Sequence, residues 1–160
     1  MYEQWSQELQ LVFPGSGVVE GIVGAYYADA DATLAFYQLL PLVNPQPLND
    51  FRSTSSDPAS ALFGQATVHF ADRWSTTAGL RLSQEEHRVT TIGTGLQDSP
   101  TLLVGTTDSD DLSWRLDLRH AISDDAMVYA GVSTGYKSGG FITTSLTDGE
   151  PDGYGPEHLT

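Results

Sequence analysis

The feature that most constrains this chain is a repeated period of two. Between Ala61 and Phe70 the even positions Leu62, Gly64, Ala66, Val68 and Phe70 are apolar or small, while Gln65, Thr67 and His69 hold odd ones. After Ala71-Asp72-Arg73, Trp74, Ala78, Leu80 and Leu82 alternate with Ser75, Thr77, Arg81, Ser83 and Glu85. Leu112, Trp114, Leu116 and Leu118 then alternate with Ser113, Arg115, Asp117 and Arg119. Side chains of a strand point alternately to its two faces, so each run is a strand with one apolar face, and no helical phase accounts for the third. Weaker runs follow the same rule. Val128, Ala130, Val132 and Tyr136 oppose Tyr129, Ser133 and Lys137, and Leu9, Leu11 and Phe13 oppose Glu8 and Gln10, with Val12 an exception. From Val18 to Tyr27 the odd set Val19, Val23, Ala25 and Tyr27 is the more apolar. The count is six strands in three hairpins.

The connections alternate in length. Pro14 to Gly17, Ala71 to Arg73 and Ser123 to Asp125 are short joins, whereas Asp29 to Ser60, Thr90 to Asp111 and the stretch after Gly140 are long and polar. Soluble domains seldom carry structureless connections beyond ~12–15 residues. Outer-membrane barrels combine short turns on one side with long loops on the other, and strands of ~9–11 residues suffice to cross. Phe13, Phe70 and Trp74 lie by the short turns and Trp114, Tyr27 and Tyr136 towards the long connections, as two aromatic girdles would require. The competing reading is a soluble β-sandwich, in which a second layer covers the apolar face.

Composition removes other classes. A net charge of −14 with only seven Lys and Arg argues against nucleic acid, which demands clustered cations. Zero cysteines exclude disulfide scaffolds and thiolate chemistry. No run approaches the roughly 18 apolar residues of a spanning helix. Met1 to Ser6 has neither a basic nor an apolar export region, so a signal would have to lie upstream.

Several segments closely resemble successive barrel strands of TonB-dependent receptors. They are Ala61-Leu62-Phe63-Gly64-Gln65-Ala66-Thr67, Asp72-Arg73-Trp74-Ser75 with Thr77 to Arg81, Asp125 to Ala130, and Gly135-Tyr136-Lys137-Ser138-Gly139-Gly140-Phe141. Ser6 to Leu9 resembles an earlier strand, and Pro156-Glu157 with Leu159-Thr160 the end of a loop entering the next. Thr76, Leu82, Gln10 and Ile142 depart from the pattern as scattered single substitutions. The resemblance implies an all-β, antiparallel, up-and-down transmembrane β-barrel segment of about six strands. Such receptors also have an N-terminal energy-coupling box, a plug and about twenty-two strands, so residues 1–160 are expected to be part of an incomplete barrel. These residues alone are expected not to transport. The resemblance further implies a Gram-negative outer-membrane location, contact with membrane lipid, coupling to TonB through the missing N-terminal part, and uptake of a ferric siderophore. Cobalamin, carbohydrates and aromatic compounds are other cargoes it allows. A small structural barrel or adhesin, and a soluble carbohydrate-binding sheet, stay open beside it.

No catalytic, cofactor-binding or metal residues are assigned. His69, His87, His120 and His158 lack paired ligand spacing. Asp108, Asp110 and Asp111, and Asp148, Glu150 and Asp152, lack the glycine and terminal glutamate of a calcium loop. Neither a nucleophile elbow nor a phosphate loop is present. The family-motif residues are Gly135, Tyr136, Lys137, Gly139, Gly140 and Phe141. Thr33 to Val43 is apolar and reads as a short helix after Asp31, either folded over the loops or presented to a hydrophobic or aromatic ligand. Arg81, Arg115, Arg119 and Lys137 are expected to form a cross-strand charge ladder with Asp117 and Glu85 on the inner face.

Overall fold

A computed structural model of the chain describes residues 1–15, 17–39, 47–94, 100–142 and 153–160. All regular structure in these residues is β-strand. The elements are β1 (Tyr2–Phe13), β2 (Val19–Leu39), β3 (Pro47–Ser56), β4 (Ala59–Ala71), β5 (Trp74–Thr94), β6 (Pro100–Ala121) and β7 (Met127–Ser133). Four short ones follow, β8 (Gly135–Lys137), β9 (Gly140–Phe141), β10 (Gly153–Tyr154) and β11 (Glu157–Leu159). Every pairing is antiparallel, and β1 to β7 form a single sheet.

β3 and β4 occupy one place in that sheet. β2 pairs with β4 through Ala28↔Ala59 and with β3 from Asp31↔Ser56 onward, and β5 does the same through Ala59↔Glu85 and Ser56↔Arg88. The register is unbroken on both sides, so β3 and β4 are one long strand interrupted at Asp57-Pro58. Proline has no N–H to give the ladder, which explains the interruption. The six expected strands are thus recovered. Similarly, Gly135↔Leu159 and Phe141↔Gly153 share one register, so β8 with β9 faces β11 with β10 as a single interrupted pair.

The expectation of long unstructured connections is overturned. β2 runs to Leu39, β5 to Thr94, and β6 begins at Pro100, so most of the stretches 29–60 and 90–111 continue the sheet. Threonine, valine and isoleucine at Val89 to Ile92 favour an extended backbone, and pairing satisfies N–H and C=O groups that a bare loop would leave to water. A strand of 21 residues reaches roughly 70 Å at ~3.3 Å per residue, against ~30 Å of membrane hydrocarbon. No helix follows Asp31. Residues 32–39 are strand, Phe36 pairs with Phe51 at a ring separation of 5.4 Å, and Leu40 to Val43 lie outside the described residues. Ser16, residues 95–99 and the Asp148, Glu150 and Asp152 cluster also lie outside them.

The two faces separate as the alternation requires. One carries the register rows Leu9, Ala25, Leu62, Leu82, Leu112 and Phe13, Gly21, Ala66, Ala78, Leu116, Val132. The other carries Phe63, Arg81, Ser113 and Gln65, Gly79, Arg115, Ser133. The buried apolar side chains Ala28, Phe51, Ala61, Val89 and Leu103 all lie on the second face, while on the first Leu62 is 62% and Leu80 59% exposed. A water-soluble sandwich would bury the first face and expose the second. Among the described residues no segment covers the apolar face.

One register switch corrects the expected facing of Tyr136. At Thr134 the backbone N–H bonds to the Trp114 carbonyl at 2.8 Å, but the Trp114 N–H donates to the Thr134 Oγ1, at 2.9 Å, in place of a main-chain carbonyl. The strand breaks there, and beyond it Tyr136 turns to the polar side, where it packs beside Ser109 and lies tilted to the His158 ring at a centroid distance of 5.7 Å. Tyr136 therefore leaves both the apolar face and the upper girdle. Thr134→Val should destabilise the protein by about 0.5–1.5 kcal/mol, and Thr134→Ser should be near neutral, as read by denaturant unfolding. Equal losses for the two would show that the hydroxyl is not the acceptor that matters.

Candidate ligand-facing site

At the upper end of the polar face the sheet turns a cluster of side chains toward β8 to β11. Asp57, at the interruption between β3 and β4, faces His87 of β5 directly across the strands, and the two side chains are hydrogen-bonded. Phe141 stacks on the His87 ring at 5.7 Å. The Nδ1 of His158 lies 3.4 Å from the Asp111 carboxylate, which is almost wholly buried. Together these contacts fix the β8 to β11 pair against the wall, and between them lies a cleft of about 280 Å³ lined by Asp57, Glu85, His87, Ser109, Gly139 and Tyr154. Burial, reinforced by Glu85, Asp111 and Asp110, raises the Tyr136 phenol above its ordinary value and keeps it neutral.

The motif residues converge here with distinct roles. Gly135 pairs with Leu159 and Tyr136 with His158. At Gly139 an added Cβ would stand 2.6 Å from the Tyr154 carbonyl oxygen, so only glycine lets the two backbones approach. At Gly140 an added Cβ would meet the hydroxyl end of the Tyr154 side chain at 2.7 Å, a contact that a side-chain shift can relieve. Lys137 does not join a ladder with Asp117 or Glu85 as expected. Its ammonium is 3.9 Å from Glu157 and 5.6 Å from the Tyr154 ring centre.

The rest of the ladder is also rearranged. Arg115 engages Asp117 two residues along its own strand, with Nη2 to Oδ2 at 2.6 Å and Nε to Oδ2 at 2.8 Å. Arg81 lies over two rings, 5.6 Å from Tyr26 and 5.8 Å from Phe63. The four histidines are separate. His69 approaches Glu20 at 3.4 Å and His120 stacks on Trp74 at 4.1 Å, apart from the two above. Asp108 and Asp110 share a face with Glu86 and Gln84, while Asp111 turns to the other, so this acidic cluster is split by the sheet. Among the described residues no three His, Asp or Glu side chains are grouped to hold a metal ion.

Sequence reasoning missed Asp57, Phe51 and Leu103, within stretches read as loop, and Val89, just ahead of the second. The available signal was the short alternation Val89, Thr91, Gly93 against Thr90 and Ile92.

A family model described as TonB dependent receptor-like, beta-barrel, matches residues 2–157. The chain belongs to the TonB-dependent receptor family. Barrels of this family lie in the Gram-negative outer membrane, which places the chain there, and proteins of the family are transporters, not enzymes. No curated protein matches the sequence. Among solved structures, the fold is similar to the crystal structure of the ferric yersiniabactin uptake receptor FyuA from Yersinia pestis. The TM-score is 0.88 at 22% identity, over 98% of this chain and 24% of that one. At that identity the likeness establishes the barrel-wall fold alone. This TonB-dependent receptor chain spans about a quarter of FyuA's length.

Proposed function

We propose that this chain is a wall segment of an active-transport receptor that takes up a ferric siderophore across the outer membrane with energy delivered through TonB. The remaining staves, the plug and the coupling segment belong in this reading to sequence beyond the 160 residues. The observation that carries it is the inverted distribution of side chains, with Leu62, Leu80 and Leu116 exposed on one face and Arg81, Arg115 and Asp117 on the other. That arrangement suits a wall with hydrocarbon outside and a wet lumen inside. The ferric cargo is supported by the fold shared with a ferric siderophore uptake receptor. Leu34 and Phe36, half exposed, and the Phe36-Phe51 ring contact on the lumenal side of the β2-β3 extension add an aromatic surface suited to an aromatic chelator. The motif residues Gly135, Tyr136, Lys137, Gly139, Gly140 and Phe141 close the rim through which such a ligand would pass.

The test is uptake of radioactive iron by cells that lack their own siderophore receptors and express the full-length receptor containing this chain. A panel of phenolate, catecholate, hydroxamate and carboxylate ferric siderophores should include at least one that accumulates, with accumulation falling to background in TonB-deficient cells. Uptake that is indifferent to TonB would reject energy coupling. No uptake of any ferric siderophore, with uptake of cobalamin or a carbohydrate instead, would reject the cargo and leave the receptor.

A further inference from the structure

On the inner wall Arg81 and Arg119 are the cations that meet no carboxylate within 4.0 Å among the described residues, and of the two Arg81 is the one set against aromatic rings. The chain has 21 Asp and Glu against seven Lys and Arg, so a cation without a carboxylate beside it is unexpected. Arg115 meets a carboxylate within 4.0 Å, yet among the described residues Arg81 does not. Its guanidinium is flanked by Tyr26 of β2 and Phe63 of β4, and its Nε donates to the Ser83 Oγ at 3.1 Å. Ring faces attract a guanidinium without consuming its N–H groups, so the Nη edge keeps its donors. Beside it the wall is hollowed over about 690 Å³, lined by Gln65, Ser113, Tyr129 and the Arg115-Asp117 ion pair, whose side chains pass over Gly79 and Gly131.

We infer that Arg81, held by Tyr26 and Phe63, is an anion-binding subsite on the lumenal wall that takes a planar carboxylate, with an aromatic carboxylate fitting it best. The guanidinium fork offers two parallel N–H groups to the two carboxylate oxygens, and the hollow beside Phe63 and Tyr129 accommodates a ring attached to them. This deepens the transport reading and rests on the polar face being the lumen. The carboxylate comes either from a ligand in transit or from another part of the receptor folded into the lumen.

Purified full-length receptor in detergent micelles, titrated with benzoate, distinguishes these sources. If the anion is a free ligand, benzoate binds the wild type. Arg81→Gln then weakens binding by about tenfold or more. Arg81→Lys, with a point charge but no fork, weakens it less, and Arg88→Gln on the opposite face leaves it unchanged. If the receptor fills the site itself, benzoate does not bind, Arg81→Gln lowers Tm, and high salt narrows that gap because it screens an ion pair. The inference is overturned if Arg81→Gln alters neither benzoate binding nor Tm. It is equally overturned by a Tm loss that salt does not touch, which marks Arg81 as packing alone. Equilibrium binding is read independently of uptake, so a receptor that transports normally but shows no Arg81 dependence rejects this subsite only.

Discussion

Leu116→Arg in the full-length receptor should cost about 2–4 kcal/mol of folding into bilayers, and Ser133→Arg should cost far less. Leu116 lies mid-strand on the apolar face, between Ala78 of β5 and Val132 of β7, and 47% of its surface is uncovered by protein. A guanidinium there is driven into hydrocarbon with no carboxylate in its register row. Ser133 pairs with Arg115 on the polar face, where an added cation meets water and the neighbouring Asp117. The measurement is reversible unfolding from lipid vesicles for the two variants and the parent. Equal penalties, or a larger one at Ser133, would mean that the sheet is reversed or that it does not contact lipid.

The second large effect is expected at Gly139. Gly139→Val places branched carbons where even a Cβ comes within 2.6 Å of the Tyr154 carbonyl oxygen, and backbone cannot give way as a flexible side chain can. Overpacking of this kind costs about 1–3 kcal/mol, and here it should fall on the pairing of Gly135–Lys137 with Glu157–Leu159. Hydrogen exchange at the amides that hydrogen-bond between Gly135–Lys137 and Glu157–Leu159 should therefore accelerate by about ten to a hundredfold, while amides of the β5-β6 ladder keep their protection. Unchanged exchange at those amides would show that the strand pair tolerates separation and that the glycine serves another purpose. Phe141 and His87 extend the consequence to the rim, because their stack depends on the same pair staying closed.

The alternation around Leu62, Leu80 and Leu116 made the faces legible, and the structure places these residues in register rows across four strands. The short turns were legible as well. Ala71 pairs with Trp74 across Asp72-Arg73, and Gly17 adopts φ 94°, which glycine tolerates and most residues do not. The site was less so. The motif run marked its own position, but the residues it meets or closes over come from elsewhere, Asp57 from the interruption between β3 and β4, His87 from β5, Asp111 from β6 and Tyr154 from β10, and the sequence offered no sign that they meet.

What the sequence determined by itself is the two-faced strand, because side-chain alternation is a property of each extended residue and needs no partner. Where each strand stops, and which way a residue faces after an irregularity, was decided by tertiary structure. The stretches 29–39 and 86–94 become sheet because β3 lies between them to receive their hydrogen bonds. Tyr136 turns inward because one hydroxyl, on Thr134, displaces one main-chain acceptor of Trp114. Arg81 lies on rings and not on an acid because β2 and β4 bring Tyr26 and Phe63 beside it. Each of these outcomes depends on a hydrogen bond or contact between residues far apart in the chain, and local pattern carries no record of such a partner until the strands are paired.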